Sequence, residues 1–96
     1  MKNLHKILNK LSAHKSELFD QYSLKSLAIF GSFSRNTVHK DSDLDILVEF
    51  NAPIGIRFID LADELEEMLG IKVDLVSKKG IKKKYLDAIE QDLIYV

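Results

Sequence analysis

Apolar residues recur at helical spacing in the first and second halves of the chain. The first stripe consists of Leu4, Ile7, Leu8, Leu11, Leu18 and Phe19. The second consists of Ile56, Ile59, Leu61, Ala62, Leu65, Met68 and Leu69. These stripes predict amphipathic helices over residues 3–20 and 56–69, the second ended by Gly70 as a C-terminal cap. A third helix is predicted over about 80–91, before the short apolar tail LIYV.

Three short apolar runs predict strands. They are LKSLAIF at 24–30, LDILVEF at 44–50 and IKVDLVS at 71–77. The alternation of helices and strands indicates an α/β (α+β) fold, with a small sheet of three to four strands flanked by helices. The short polar loop 31–42 allows the first two strands to be antiparallel, so we expect a mixed sheet. One helical turn is predicted in this loop around Ser34–Thr37.

Composition limits the class of protein. The 96 residues suit one domain spanning 1–96, and a net charge of −1 gives no global attraction for nucleic acids or membranes. There is no cysteine, which excludes disulfides and thiolate metal sites. No stretch approaches the roughly 20 apolar residues of a membrane span. We therefore expect a cytoplasmic protein that contacts neither membrane nor nucleic acid directly.

Acidic residues within apolar strands indicate a functional site. Asp45 and Asp74 each lie in an apolar run, and a buried carboxylate is costly unless it is hydrogen-bonded, paired or bound to a metal. Side chains alternate along a strand, so Asp43 and Asp45 project from the same face. Asp74 joins them if the third strand neighbours the second. Taken singly, Asp43 is equally typical of a turn before a strand, and Asp74 of an edge strand facing water.

The loop after the first strand has the features of a phosphate site. Gly31 allows the backbone to approach a phosphate closely, and Ser32 offers a hydroxyl and an N–H group. Arg35 lies just beyond, where a guanidinium can pair with phosphate oxygens. Three carboxylates beside such a turn suit two-metal phosphoryl chemistry, with two Mg²⁺ ions held by Asp43, Asp45 and Asp74. Asp74 would also accept the proton of the attacking hydroxyl.

The segment GSFSRNTVHKDSDLDILV resembles the signature of the polymerase-β-like nucleotidyltransferase superfamily: Gly-Ser, ten residues, then Asp-x-Asp in a strand. The later KVDLV is similar to its third acidic position. The compact length and the ending EQDLIYV resemble the minimal nucleotidyltransferases, MntA-type antitoxins that are paired with HEPN-domain toxins. Many relatives read Gly-Ser-x-Ala-Arg-Gly, where this chain has Ser34 and Asn36. Asn36 tolerates the left-handed backbone that glycine would adopt.

The resemblance implies specific roles and a partner. Gly31 and Ser32 would contact the phosphates of ATP, and the three aspartates would hold the metal ions. The implied reaction is AMP transfer from ATP to a tyrosine hydroxyl of a HEPN-domain toxin, which silences the toxin. Two alternatives stay open: a binding-only antitoxin with a relic site, and a transferase for a small hydroxylated molecule such as an aminoglycoside.

Two further charged groups are interpreted as surface features. Lys78, Lys79, Lys82, Lys83 and Lys84 form a basic cluster, for which a solvated helix start is favoured over a role in attracting ATP, RNA or an acidic partner. Asp60, Asp63, Glu64, Glu66 and Glu67 are expected on the solvent face of the second helix. His39 lies in the predicted site loop without a partner that would give it a role.

Overall fold

The computed structural model describes residues 4–38 and 42–96. Within these ranges the helices are α1 (Leu4–Tyr22), α2 (Arg57–Leu69) and α3 (Lys83–Ile89). The strands in the same ranges are β1 (Leu24–Phe30), β2 (Leu44–Phe50), β3 (Val73–Ser77) and β4 (Ile94–Tyr95). Single 3₁₀ turns cover Lys78–Gly80 and Glu90–Asp92. No helix among these described residues is long and apolar enough to cross a membrane.

The strands form one mixed sheet in the order β3-β2-β1-β4. β1 pairs antiparallel with both β2 and β4, whereas β2 and β3 are parallel. The predicted α/β fold with a mixed sheet is therefore confirmed, and the fourth strand comes from the apolar tail. β2 lies at the centre beside β3, so the two aspartate-bearing strands are neighbours.

The predicted elements match the observed ones most closely where the apolar pattern is strongest. Strands 24–30 and 44–50 have the predicted bounds, while β3 begins two residues later than expected. The helix predicted over 80–91 is shorter, because Ile81 and Lys82 have extended backbones that separate α3 from the preceding 3₁₀ turn. The first residue of the helix predicted over 3–20 and the loop residue His39 lie outside the described ranges.

The two faces of the sheet are covered unequally. One face packs on α1 and α2 and buries the main core, which includes Leu44, Ile46 and Val48 of β2. The opposite face carries a smaller cluster, formed by Phe30, Leu47 and Ile89. Strand alternation places Asp45 on the same face as Leu47. The less covered face of the sheet is therefore the one that presents the acidic side chains.

The apolar stripe of α2 is narrower than predicted. Leu61, Leu65 and Leu69 are buried at successive helical turns. Ile56 and Ile59, which the pattern placed on the same stripe, are 80% and 63% exposed. Ile56 precedes the helix, and Ile59 lies about 200° around the axis from Leu61 at 3.6 residues per turn. The prediction that these two isoleucines belong to the core stripe was wrong.

Helices α1 and α2 are joined by a buried tyrosine. The Tyr22 hydroxyl donates a 2.7 Å hydrogen bond to Glu64 Oε1, and the Arg57 guanidinium lies 5.3 Å from the centre of the Tyr22 ring. Burial, followed by the hydrogen bond to Glu64, raises the pKa of Tyr22 to about 12. Glu64 was expected to face solvent, and this contact with Tyr22 corrects that prediction.

We expect Tyr22→Phe to lower the free energy of unfolding by about 1–2 kcal/mol at neutral pH, because a hydrogen bond to a charged acceptor is lost. The folded-state pKa lies above the ordinary value of 10.0, so the wild type loses stability as pH rises from about 10 to 12. The variant lacks this loss, and its deficit should shrink in that range. Urea unfolding at pH 7 and pH 11 measures both effects. Tyr85→Phe, at a tyrosine that is 56% exposed, is the matched control.

Candidate active site

A compact turn follows β1 and carries the predicted phosphate contacts. Gly31 has a φ of +74°, and its carbonyl accepts a 3.1 Å hydrogen bond from the Arg35 N–H. The Ser32 carbonyl accepts a 2.9 Å bond from the Thr37 N–H. Asn36 has a φ of +59°, so it adopts the left-handed backbone expected of it. The helical turn predicted around Ser34–Thr37 thus begins earlier, at Gly31.

The aspartates of β2 and β3 lie side by side. Asp45 is directly in register with Asp74 across the parallel β2–β3 pair, and with Phe30 across the antiparallel β1–β2 pair. Residues in register on neighbouring strands project from the same face. The two carboxyl groups therefore meet beside the end of β1, where Gly31 begins the turn.

The charges of Asp43 and Arg35 both act on the Asp45 carboxyl. Burial raises the pKa of Asp45 to about 6, and the charges of Asp74 and Asp43 add to the shift. The positive charge of Arg35 acts in the opposite direction. Asp43 and Asp74 are exposed, while Asp45 is half-buried. The structure thus brings Asp45 beside Asp74, and the charge of Asp43 reaches the same carboxyl.

The donor set suits a hard divalent cation. Carboxylates that repel one another across a few ångströms create a local need for positive charge. Within residues 4–38 and 42–96, however, no three acidic or histidine side chains are grouped closely enough to hold a metal ion by themselves. Mg²⁺ commonly takes one or two carboxylates and completes its shell with water and substrate phosphates. The aspartates therefore fit Mg²⁺ that arrives together with a nucleotide.

Position 31 favours glycine both because its backbone is left-handed and because there is no room for a side chain. A Cβ atom built at this position would overlap Oδ2 of Asp45. The absence of a side chain lets the turn pack directly on the central carboxylate. This contact joins the phosphate-site turn to the acidic cluster.

Arg35 is held by a residue that the sequence pattern did not reveal. Its Nη1 donates a 3.0 Å hydrogen bond to Asp92 Oδ2, which makes an ion pair with a half-exposed guanidinium. Asp92 lies in the 3₁₀ turn before β4. The ending EQDLIYV was noted for its similarity to other short chains, but nothing local connects Asp92 with a residue 57 positions earlier.

Glu66 is a second residue that sequence reasoning placed elsewhere. Its Oε2 accepts a 2.8 Å hydrogen bond from the Val73 N–H at the start of β3. Glu66 was expected to face solvent on α2. The contact instead satisfies an N–H group on an edge strand and fixes the residue directly before Asp74.

The basic cluster is engaged in surface ion pairs at two positions. Lys78 lies 3.6 Å from Glu49, and Lys83 lies 3.0 Å from Asp87. These contacts agree with the interpretation of a solvated surface.

The raised pKa of Asp45 predicts a pH-dependent stability. In the unfolded chain the carboxyl titrates near its ordinary 3.8, so the folded state binds more protons between about pH 4 and 6. Wild-type stability should therefore fall as pH rises through this range, relative to Asp45→Asn. We expect a relative loss of about 1 kcal/mol, since water screens the partly exposed site. Calorimetry from pH 4 to 8 without Mg²⁺ checks this, and parallel curves for the two proteins would contradict it.

Comparison with known proteins identifies the family of this chain. The nucleotidyltransferase domain family matches residues 8–96. A protein of Methanocaldococcus jannaschii that is named as a protein adenylyltransferase is 50% identical over the full length of both chains. The protein adenylyltransferase MntA of Thermococcus cleftensis is 38% identical, covering all of this chain and 98% of its relative.

Solved structures share the fold. A minimal nucleotidyltransferase superposes with a TM-score of 0.83 and 29% identity, covering 97% of this chain and 95% of that one. A toxin–antitoxin complex with AMP-PNP contains a chain with a TM-score of 0.72 and 27% identity, covering 91% of this chain and 69% of that one. With a family match over nearly the whole sequence, this chain belongs to the nucleotidyltransferase domain family, and its full-length relatives are named protein adenylyltransferases.

Proposed function

We propose that this chain is a Mg²⁺-dependent protein adenylyltransferase that acts as an antitoxin, transferring AMP from ATP to a tyrosine of a HEPN-domain toxin. The observation that carries the proposal is the register of Asp45 with Asp74, beside the turn at Gly31. The arrangement gathers negative oxygen ligands next to a turn suited to phosphate, which nucleotidyl transfer requires.

The proposed roles follow from position. Gly31 and Ser32 would receive the triphosphate, because a turn that follows a strand can present backbone N–H groups to an anion. Asp43, Asp45 and Asp74 would hold two Mg²⁺ ions, which neutralise the phosphate charge and stabilise the attacking and leaving oxygens. Arg35 pairs with a phosphate oxygen.

In the transfer step the tyrosine oxygen forms a bond to the α-phosphorus of ATP. The bond from that phosphorus to the bridging oxygen breaks, and pyrophosphate leaves with the electron pair. Asp74, at the exposed side of the cluster, accepts the proton of the tyrosine hydroxyl. The products are an adenylylated tyrosine and pyrophosphate.

The acceptor is supported by the relatives. The MntA relative is named as a protein adenylyltransferase, which favours a protein acceptor over a small molecule. The AMP-PNP complex is of a toxin–antitoxin pair, which favours a toxin as that protein. The HEPN class of the toxin rests on the sequence resemblance to MntA-type antitoxins.

The test combines the purified chain with labelled ATP, Mg²⁺ and the HEPN-domain protein encoded beside it. We expect the toxin to gain mass in units of AMP on tyrosine, and the gain to disappear with Asp43→Ala/Asp45→Ala. Asp63→Ala/Glu67→Ala, which removes two exposed acids of α2, is the matched control and should transfer AMP normally.

Other outcomes identify the rival functions. Neutralisation of the toxin without a mass gain, preserved in the Asp43→Ala/Asp45→Ala variant, would establish a binding-only antitoxin. Transfer to an aminoglycoside but not to the toxin would establish a small-molecule transferase. Either result would overturn the proposal.

A further inference from the structure

One ion pair connects the C-terminal segment with the turn that follows β1, where the nucleotide phosphates are proposed to bind. Asp92 Oδ2 lies 3.0 Å from Arg35 Nη1, and the side chain of Asp92 is only 26% exposed. The Arg35 side chain is 52% exposed, so its other guanidinium N–H groups are open to solvent or to a ligand. Asp92 therefore fixes one side of the guanidinium and leaves the rest available.

Both partners are anchored to β1. The Arg35 N–H donates to the Gly31 carbonyl, directly after the strand. Asp92 precedes β4, in which Ile94 pairs with Ile29, and the next residues continue along β1 until the Val96 N–H donates to Leu27. The ion pair thus closes a ring of contacts around the end of the strand that carries the glycine-serine turn.

The ion pair with Asp92 affects where the Arg35 guanidinium lies relative to the aspartates Asp43, Asp45 and Asp74. Arg35 belongs to the turn that begins at Gly31, and Gly31 packs directly against the Asp45 carboxyl. A guanidinium released from Asp92 would be attracted to these aspartates, because they carry excess negative charge. In that position the guanidinium would compete with a metal ion for the aspartates, and it would no longer be available to bind an incoming phosphate.

We propose that Asp92 is a positioning residue, which holds the Arg35 guanidinium off the aspartate cluster and beside the Gly31–Ser32 turn so that it binds a nucleotide phosphate. The inference rests on the proposed function in one respect, namely that the ligand is a nucleoside triphosphate. It assigns the C-terminal segment a part in nucleotide binding.

The test measures the dissociation constant of AMP-PNP with Mg²⁺ by calorimetry, without an acceptor protein. We expect Asp92→Asn to weaken binding about threefold to fivefold, the size typical of a partly exposed ion pair. Arg35→Ala should weaken binding about tenfold, because the phosphate contact itself is lost. In the Arg35→Ala background, Asp92→Asn should have no further effect, since Asp92 acts through Arg35.

Two variants complete the design. Asp92→Glu keeps the carboxylate and should restore most of the affinity that Asp92→Asn loses. Asp87→Asn removes another carboxylate of the C-terminal segment, one that pairs with Lys83 at 3.0 Å, and should leave binding unchanged. Thermal midpoints of all variants are measured in parallel, so that a loss of fold is visible.

Three results would overturn the inference. Equal weakening by Asp92→Asn in the wild-type and Arg35→Ala backgrounds would show that Asp92 supports the fold and not Arg35. Tighter AMP-PNP binding by Asp92→Asn would show that Asp92 competes with phosphate for Arg35. If the wild type did not bind AMP-PNP, a nucleoside triphosphate would not be the ligand of this turn. Failure of AMP transfer to the toxin, with these affinities as expected, would refute only the proposed function.

Discussion

Asp45→Asn should lower the rate of AMP transfer by about a thousandfold or more, the scale seen when a central catalytic group is removed. Asp45 is in register with Asp74, and the charge of Asp43 acts on it as well. An amide at this position has one neutral oxygen where the site needs a charged ligand. Any metal ion would then be held by the two exposed aspartates alone.

The measurement is a single-turnover assay at saturating labelled ATP and Mg²⁺, with the toxin as acceptor. Glu49→Gln is the matched control, because Glu49 is a half-buried acid on the same face of β2 that pairs with Lys78 at 3.6 Å. It should change the rate little. The folded state should tolerate Asp45→Asn well, since the substitution relieves repulsion. A variant that folds and still transfers AMP at a rate near that of the wild type would show that Asp45 is not a ligand in the reaction.

Part of the site could be predicted because strand physics constrains it. An acidic residue in a run such as LDILVEF must leave the core, so the alternation along β2 fixed the face of Asp45 in advance. The same alternation along β3 puts Asp74 on the face opposite to Val73, which is buried. The side of the sheet that carries the site thus followed from local pattern.

The alignment of the two strands could not be read from local pattern. Parallel strands are connected by a crossover helix, and their relative shift depends on how that helix packs. Leu61 and Leu65 of α2 are fully buried in the main core, and Glu66 holds the N–H of Val73. These tertiary contacts position β3 so that Asp74 stands beside Asp45.

Long-range polar contacts were also beyond the reach of sequence reasoning. The pairing of Arg35 with Asp92 requires β4 to lie beside β1. A strand of two residues in an apolar tail is too short for its pairing to be predicted from the sequence. Glu64 and Glu66 looked like solvent-facing acids because helical periodicity describes only the helix itself. Their partners, Tyr22 and Val73, belong to other elements.

Gly31→Ala is expected to lower the transfer rate by at least about a hundredfold, because small displacements of a reacting group have effects of this size. The new methyl group would overlap Oδ2 of Asp45, so the carboxylate or the turn must move. The left-handed backbone at Gly31 adds a cost of about 1–2 kcal/mol to the free energy of folding. Transfer rate and urea unfolding together measure the two effects.

Gly55→Ala is the control that separates the loss of stability caused by the left-handed backbone from the steric overlap with Asp45. Gly55 also has a positive φ, of +58°, but a Cβ atom there meets nothing within 4 Å. It should therefore lose a similar amount of stability through the backbone while keeping its transfer rate. If the two alanine variants lost activity equally, the loss would come from general destabilisation. If Gly31→Ala transferred AMP at the wild-type rate, the close packing of the turn on Asp45 would have no part in catalysis, because the carboxylate could move aside without consequence.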